Sequence, residues 1–427
     1  MTVSKSQVPP TSRFRRWISF ILKVALGVGL VWAAFQFLGL QIVRVSRLPA
    51  PLDQASVPLQ QEEGRPFSYE SPSETPHNLI LVIADGLGFA HLSAARAALH
   101  GINGPAVWDR FTATGWQRTH PIRGLLNDSA GAATALATGN PTTYGSIGVD
   151  PAGQPLETLF ERAAELGYRT GIVTDSYIWD ATPAAFTTHS PVRGNAYAES
   201  VLRQLGESSL EILVGELEDV GEGDVPEWPE SVELLRKRFE VLGPEPSAEI
   251  LETLETATSP TAAIFEEDQI SDLDSEPALP DLVSATLRRL SSTDQSFLLL
   301  VESEEPDSAS HKGDLERLLR GMQAIEATLE ILLDFAAEDG ETLLIFTSDH
   351  ETGGLALSIA NNKNSELRSI WATTDHTGSV VPVLAFGPGS DAFGGIRANW
   401  EIGRLLGRNL QEHPAADGID PDHGRDQ

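Results

Sequence analysis

The chain has 427 residues, of which 41% are hydrophobic, enough for one large α/β domain with insertions. Its 61 acidic against 30 basic side chains give a formal net charge of −31, which excludes nucleic acid as a partner held on a basic face. There is no cysteine, so disulfides and thiolate metal sites are excluded as well, and any anionic substrate must meet positive charge supplied locally by arginine or a metal.

The N-terminus is basic over residues 1–16, with Lys5, Arg13, Arg15 and Arg16. An uncharged run of 20 residues follows from Val24 to Val43, long enough to span a bilayer, with Trp17 and Trp32 suited to its interfaces. The pattern predicts a transmembrane signal-anchor over residues 17–43. The positive flank stays cytoplasmic and the bulk of the chain lies outside, membrane-anchored and periplasmic or extracellular. A cleaved signal peptide is the rival reading, but Val31-Trp32-Ala33 is a poor small-x-small site. Residues 44–76, with Pro49, Pro51, Pro58, Pro66, Pro72 and Pro76, read as an extended linker.

The main domain is expected over residues 77–410. Asn78 to Ala84 is a short apolar run typical of a strand buried on both faces, and it ends in Asp85-Gly86-Leu87-Gly88. Ala94 to Leu99 reads as helix. Asn127 to Gly139 reads as an Ala-rich helix opening on Asp128-Ser129 and stopped by Gly139. A serine in a first helical turn lies where free N–H groups and the helix dipole hold anions, although capping alone also accounts for Asp-Ser there. A helix over Leu156 to Leu166 precedes a strand from Tyr168 to Thr174, and the loop beyond it carries Trp179, Asp180, Thr182 and then Arg193. Residues 200–295 read as a variable acidic insertion, with helix over Ser231 to Leu242 and Leu282 to Leu290 and a candidate strand at Glu211 to Gly215.

Phe297 to Val301 is the next strand and ends in Glu302. Asp307 and His311 then stand four apart at the start of a helical pattern that runs through Leu329. Thr342 to Thr347 is a strand ending in Ser348-Asp349-His350-Glu351, and Val381 to Phe386, with His376 before it, is a strand whose Pro382 suggests that it lies near an edge or pairs irregularly. The polar tail over 411–427 holds His413 and His423, which read as solvated.

Strands alternating with helices predict a largely parallel central sheet with helices on both faces. Ligands in such sheets bind beyond the carboxyl ends of the strands, which would gather Asp85, Asp180, Glu302, Asp349 and His350 at one edge. Carboxylates crowded in this way repel one another unless cations are bound. Asp307, His311, Asp349, His350 and His376 are a mixed carboxylate–imidazole set that suits zinc. Asp85, Thr182 and Glu302 offer only oxygen and suit magnesium.

These pieces together resemble the alkaline phosphatase family. The resemblance is carried by Asp85-Gly86-Leu87-Gly88, Asp128-Ser129-Ala130 with Ala135 to Gly139, Tyr144 to Asp150 and Asp180 to Ala185. It continues through Val301-Glu302 with Asp307 and His311, Thr347 to Gly354, and Asp375-His376-Thr377-Gly378. They occur in the family's order over about residues 77–395. The resemblance implies hydrolysis of phosphate monoesters at two zinc ions and one magnesium ion through a phosphoserine. It implies Ser129 as nucleophile, with Asp307, His311 and His376 at the first zinc and Asp85, Asp349 and His350 at the second. Asp85, Thr182 and Glu302 would hold magnesium, with Asp180 in its outer shell, and Arg193 would clamp phosphate with Asp128 as its neighbour.

Three departures stand out. Glu304 and Glu305 replace the small or neutral residues usual between Glu302 and Asp307, and Trp179 is an unusual neighbour for Asp180. Only 25 residues separate His350 from His376, where family members often carry a larger subdomain used in dimerisation, so monomer and homodimer both stay open. The alternative activities are those of a phosphodiesterase or phosphonate hydrolase of the same superfamily, which generally lack the magnesium triad and the arginine. A non-catalytic metal- or phosphate-binding protein is the alternative from another class.

Overall fold

The computed structural model describes residues 56–58, 76–191, 193, 197–217, 233–243, 248–270, 274–359 and 366–410. The expected membrane segment over 17–43, most of the linker and the polar tail lie outside the described residues. Among the described residues no helix is long and apolar enough to cross a membrane.

In chain order the strands are β1 (Ser56–Pro58), β2 (Asn78–Ala84), β3 (Ala113–Arg118), β4 (Arg169–Tyr177), β5 (Ile212–Leu217), β6 (Glu240–Leu242), β7 (Thr261–Glu266) and β8 (Phe297–Ser303). They continue with β9 (Thr342–Thr347), β10 (Glu351–Thr352), β11 (Ala356–Ile359), β12 (Glu366–Ile370), β13 (His376–Thr377), β14 (Val381–Phe386) and β15 (Gly395–Ala398). The α-helices are α1 (Phe89–Ala95), α2 (Ser129–Thr138), α3 (Leu159–Glu165), α4 (Ala181–Thr187), α5 (Tyr197–Leu205), α6 (Ala248–Thr256), α7 (Leu279–Leu290), α8 (Glu305–Lys312), α9 (Leu315–Asp339) and α10 (Asn399–Asn409).

Ten strands form the central sheet in the order β15-β3-β14-β9-β2-β8-β4-β5-β7-β6. Its pairings are parallel except the two made by β14, which is antiparallel to β3 and to β9. β2 shows why its sequence is apolar throughout. Leu79, Leu81 and Ile83 face the helices α2 to α5 and α10, while Ile80, Val82 and Ala84 face α1, α6, α7 and α9. Two smaller sheets accompany it: β10 pairs with β13, and β1 joins β12 and β11, so part of the expected linker is a strand.

Several elements differ from or extend the expected pattern. β14 lies inside the sheet and pairs irregularly, antiparallel to both its neighbours. Pro382 is tolerated because the ladder to β9 begins only at Val383 and so does not call on its missing N–H. The helical pattern after Asp307 is two helices, broken at Gly313 with φ 64° and restarted by Asp314, whose carboxylate accepts from the Arg317 N–H. Glu240–Leu242, expected in a helix, is an edge strand parallel to β7. The segment 200–295 carries the strand expected at Glu211 to Gly215 as β5, and supplies β6 and β7 of the central sheet as well.

Candidate active site

Register brings the acidic strand ends together. Ile83 lies between Glu302 of β8 and Thr347 of β9, and Thr174 of β4 pairs with Glu302. Asp85 and Asp349 therefore emerge side by side, two residues past those pairs, with Glu302 next to them. The Asp85 N–H donates to the Ser303 carbonyl at 2.9 Å, and the Gly86 N–H donates to Asp349 Oδ1 at 3.3 Å. Gly86 adopts φ 70°, and a Cβ there would come within 2.7 Å of the Asp307 backbone, so glycine lets the β2 turn pass beneath α8.

Ser129 is the first residue of α2 and is half-buried. Asp128 caps the helix: its Oδ1 accepts the N–H groups of Gly131 and Gly145, each at 3.0 Å. The carboxylate is thus turned to backbone, and Ser129 Oγ is left 3.2 Å from His350 Nε2.

Two groups of side chains bring their ligand atoms within 4.8 Å of one another: Asp307, His311 and His376, and Asp85, Asp349 and His350. In the first, His311 Nε2 is 3.1 Å from Asp307 Oδ2 and His376 Nε2 is 3.9 Å from Asp307 Oδ1. In the second, His350 Nε2 is 3.2 Å from Asp349 Oδ2 and 3.6 Å from Asp85 Oδ1. The groups adjoin, for the rings of His350 and His376 stack with centroids 3.6 Å apart. Backbone carbonyls set the outer histidines: His311 Nδ1 donates to Thr374 at 2.5 Å and His376 Nδ1 donates to Asn127 at 2.9 Å. His376 Nε2 is left bare, as metal ligation requires, whereas His311 Nε2 carries the hydrogen it shares with Asp307 and would give it up to a cation.

The fit to cations rests on what the buried oxygens lack. Asp85 Oδ1, Thr182 Oγ1 and Asp349 Oδ2 are fully buried and make no hydrogen bond. Orphaned oxygens of this kind are costly unless a cation meets them. Thr182 lies beside Glu302, and Glu302 Oε2 accepts from Thr174 Oγ1 at 2.6 Å. Burial pushes the Asp85 carboxyl well above its usual range, and Asp349, Asp307 and Glu302 push it further. Glu302 is raised chiefly by burial too. Burial lowers His350, keeping its ring neutral. Hydrogen bonding to Asp307 lifts His311 to about 9. Protons held this way occupy positions that a divalent cation would take.

Arg193 donates from Nη2 to Asp180 Oδ1 at 2.6 Å and lies over the ring of Tyr197, 5.9 Å from its centroid. Asp180 raises its pKa most, and the charges of Asp128 and Asp85 add to that, so the guanidinium faces the same cluster. Tyr197 meets Trp179 edge-on and Trp179 stacks on Tyr177 at 5.1 Å, an aromatic layer behind the arginine. The two extra glutamates diverge. Glu305 pairs with Arg317, with Nε to Oε2 at 2.7 Å. Glu304 accepts from Ser308 Oγ at 2.8 Å and is raised by burial beside Asp180.

Sequence reading passed over several supports. His91 is fully buried, accepts the Gly88 N–H at Nδ1 and meets Ser310 Oγ through Nε2 at 3.0 Å. Thr174, the carbonyls of Asn127 and Thr374, and the hydroxyl of Thr352 are the others. Only Thr352 carried a signal, its place two residues after His350.

Comparison with known proteins agrees with this geometry. A family model described as Alkaline phosphatase matches residues 76–212 and 264–369. The chain is 26% identical to Alkaline phosphatase 4 of Bacillus subtilis, covering 87% of this chain and 96% of that protein. It is 32% identical to the Repressible alkaline phosphatase of Saccharomyces cerevisiae over 68% of this chain and 58% of that one. Among solved structures, alkaline phosphatase from the Antarctic bacterium TAB5 superposes with a TM-score of 0.70 at 26% identity, covering 79% of this chain and 98% of that one.

Proposed function

The chain belongs to the alkaline phosphatase family of phosphomonoester hydrolases, and from that premise we propose that it cleaves phosphate monoesters by way of a phosphoserine on Ser129. The observation that carries this reading is the set of orphaned oxygens on Asp85, Thr182 and Asp349 around a serine that opens a helix. Asp307, His311 and His376 would hold one zinc ion, and Asp85, Asp349 and His350 a second. Asp85, Thr182 and Glu302 would hold magnesium, with Asp180 in its outer shell. When bound, these cations neutralise phosphate charge, favour the alkoxide of the serine and acidify water.

The chain's own residues do the rest. The N-terminus of α2 offers free N–H groups and a partial positive charge to the phosphate. Arg193, held by Asp180, offers its remaining N–H groups to two non-bridging oxygens as a fork. Asp128 stays on the helix backbone and fixes the angle at which Ser129 enters the site. Ser129 Oγ gives its proton to water and forms its bond to phosphorus as the ester P–O bond breaks, and the alcohol leaves with a proton from water. Water then attacks the phosphoserine, releasing inorganic phosphate and restoring the hydroxyl. Such a reaction is mostly positioning and electrostatic stabilisation. The basic flank and apolar run at residues 17–43 support a membrane-anchored, extracytoplasmic setting for this activity.

The test is hydrolysis of a chromogenic phosphate monoester and its matching diester by the full chain, with zinc and magnesium and again after chelation. Monoester turnover well above diester turnover, lost on chelation and restored by the two metals, is the expected result. Faster diester turnover would replace this reading with a phosphodiesterase.

A further inference from the structure

Thr352 is fully buried, and its contacts run to both candidate cation groups. Its hydroxyl has one proton, which it donates to Asp307 Oδ1 in the first group. The same oxygen lies 3.3 Å from His350 Nδ1 in the second. Because the hydroxyl proton is committed to the carboxylate, the oxygen faces His350 as an acceptor, and Nδ1 must carry the hydrogen. That tautomer leaves His350 Nε2 bare, where it faces Ser129 Oγ, Asp349 and Asp85. The backbone repeats the connection. The Thr352 N–H donates to the Gly86 carbonyl at 3.0 Å, next to Asp85, and in the β10–β13 pair Thr352 lies opposite His376.

We propose that Thr352 is a positioning residue that couples the two cation sites, so that filling one orients the ligands of the other. This inference rests on the reading of the two groups as zinc sites. Two divalent cations so close repel each other, and independent sites would fill in two separated steps. A shared hydroxyl opposes that separation. A cation on Asp307 holds the carboxylate still, which fixes the Thr352 proton, which fixes the His350 ring. Partners of this kind change metal affinity by about 10- to 100-fold when removed.

The experiment titrates zinc into the chelated full chain at saturating magnesium, reading free zinc with a competing chromogenic chelator. The wild type is expected to take up two zinc ions in one cooperative step. Thr352→Val is expected to fill in two steps, with the weaker ion bound at least tenfold less tightly, and Thr352→Ser to return to a single step. Circular dichroism checks that each variant folds. A Thr352→Val curve that superposes on the wild type would overturn the coupling. So would a His311→Ala variant, with Thr352 intact, whose affinity at the Asp85, Asp349 and His350 group equals that of the wild type. Failure of the wild type to bind two zinc ions would instead overturn the zinc reading itself.

Discussion

Arg193 shows how much one side chain must do in a chain of net charge −31. Its Nη2 donates to Asp180, and under the proposed function the rest of its planar fork would face a phosphate. Lysine would keep the charge but not the fork, so Arg193→Lys is expected to weaken competitive inhibition by inorganic phosphate about tenfold or more, on the order of 1.5–3 kcal/mol. Inhibition constants for wild type and variant decide it; unchanged inhibition would mean that the guanidinium serves Asp180 alone. At this scale the legible residues were those that strands deliver. Asp85, Glu302 and Asp349 each follow an apolar run, and that run says where the carboxylate will stand. The supports were not legible, because their partners are remote in sequence: Asn127 reaches His376 across 249 positions, and Thr352 reaches Asp307 across 45. Hydrogen bonds between such distant groups leave no periodicity to read.

Among the elements, the buried strands were the most legible, since β2, β8 and β9 are apolar on both faces. Boundaries set by single turns were less so. The apolar spacing of α8 and α9 runs on through Gly313, although the backbone turns left-handed there. β14 carries a proline yet lies between two strands, because its ladder to β9 starts one residue later. His91 ties α1 to α8 in a way no pattern announces. Burial depresses its pKa from 6.5 to about 4, so the folded protein holds the ring neutral. The unfolded chain therefore binds the proton first. This contribution to stability is complete above pH 6.5 and is lost as the pH falls towards 4, about 3 kcal/mol in all. Denaturant unfolding should show a flatter pH dependence for His91→Gln than for the wild type across that window. Parallel pH profiles would mean that the imidazole is protonated in the fold.

At the scale of the whole molecule, the fold concentrates at one sheet edge the charge that the composition spreads everywhere. Asp85, Glu302, Asp307 and Asp349 are all buried there, and Asp85 and Glu302 are pushed up by that burial. Cations that bind only the folded chain stabilise it by mass action, about 1.4 kcal/mol for each tenfold excess over the dissociation constant. Chelation should accordingly lower the melting temperature at pH 8, and zinc with magnesium should restore it; a melting temperature indifferent to chelation would argue against resident cations. The proposed reaction stands or falls with passage of the phosphoryl group through Ser129. The most direct measurement is to quench the metal-loaded full chain with acid during turnover of a radiolabelled phosphate monoester and map the labelled peptide. Label is expected on Ser129 and none in Ser129→Ala, whose turnover should fall to a small residual rate. An unlabelled Ser129 during steady turnover, with Ser129→Ala as active as the wild type, would contradict it.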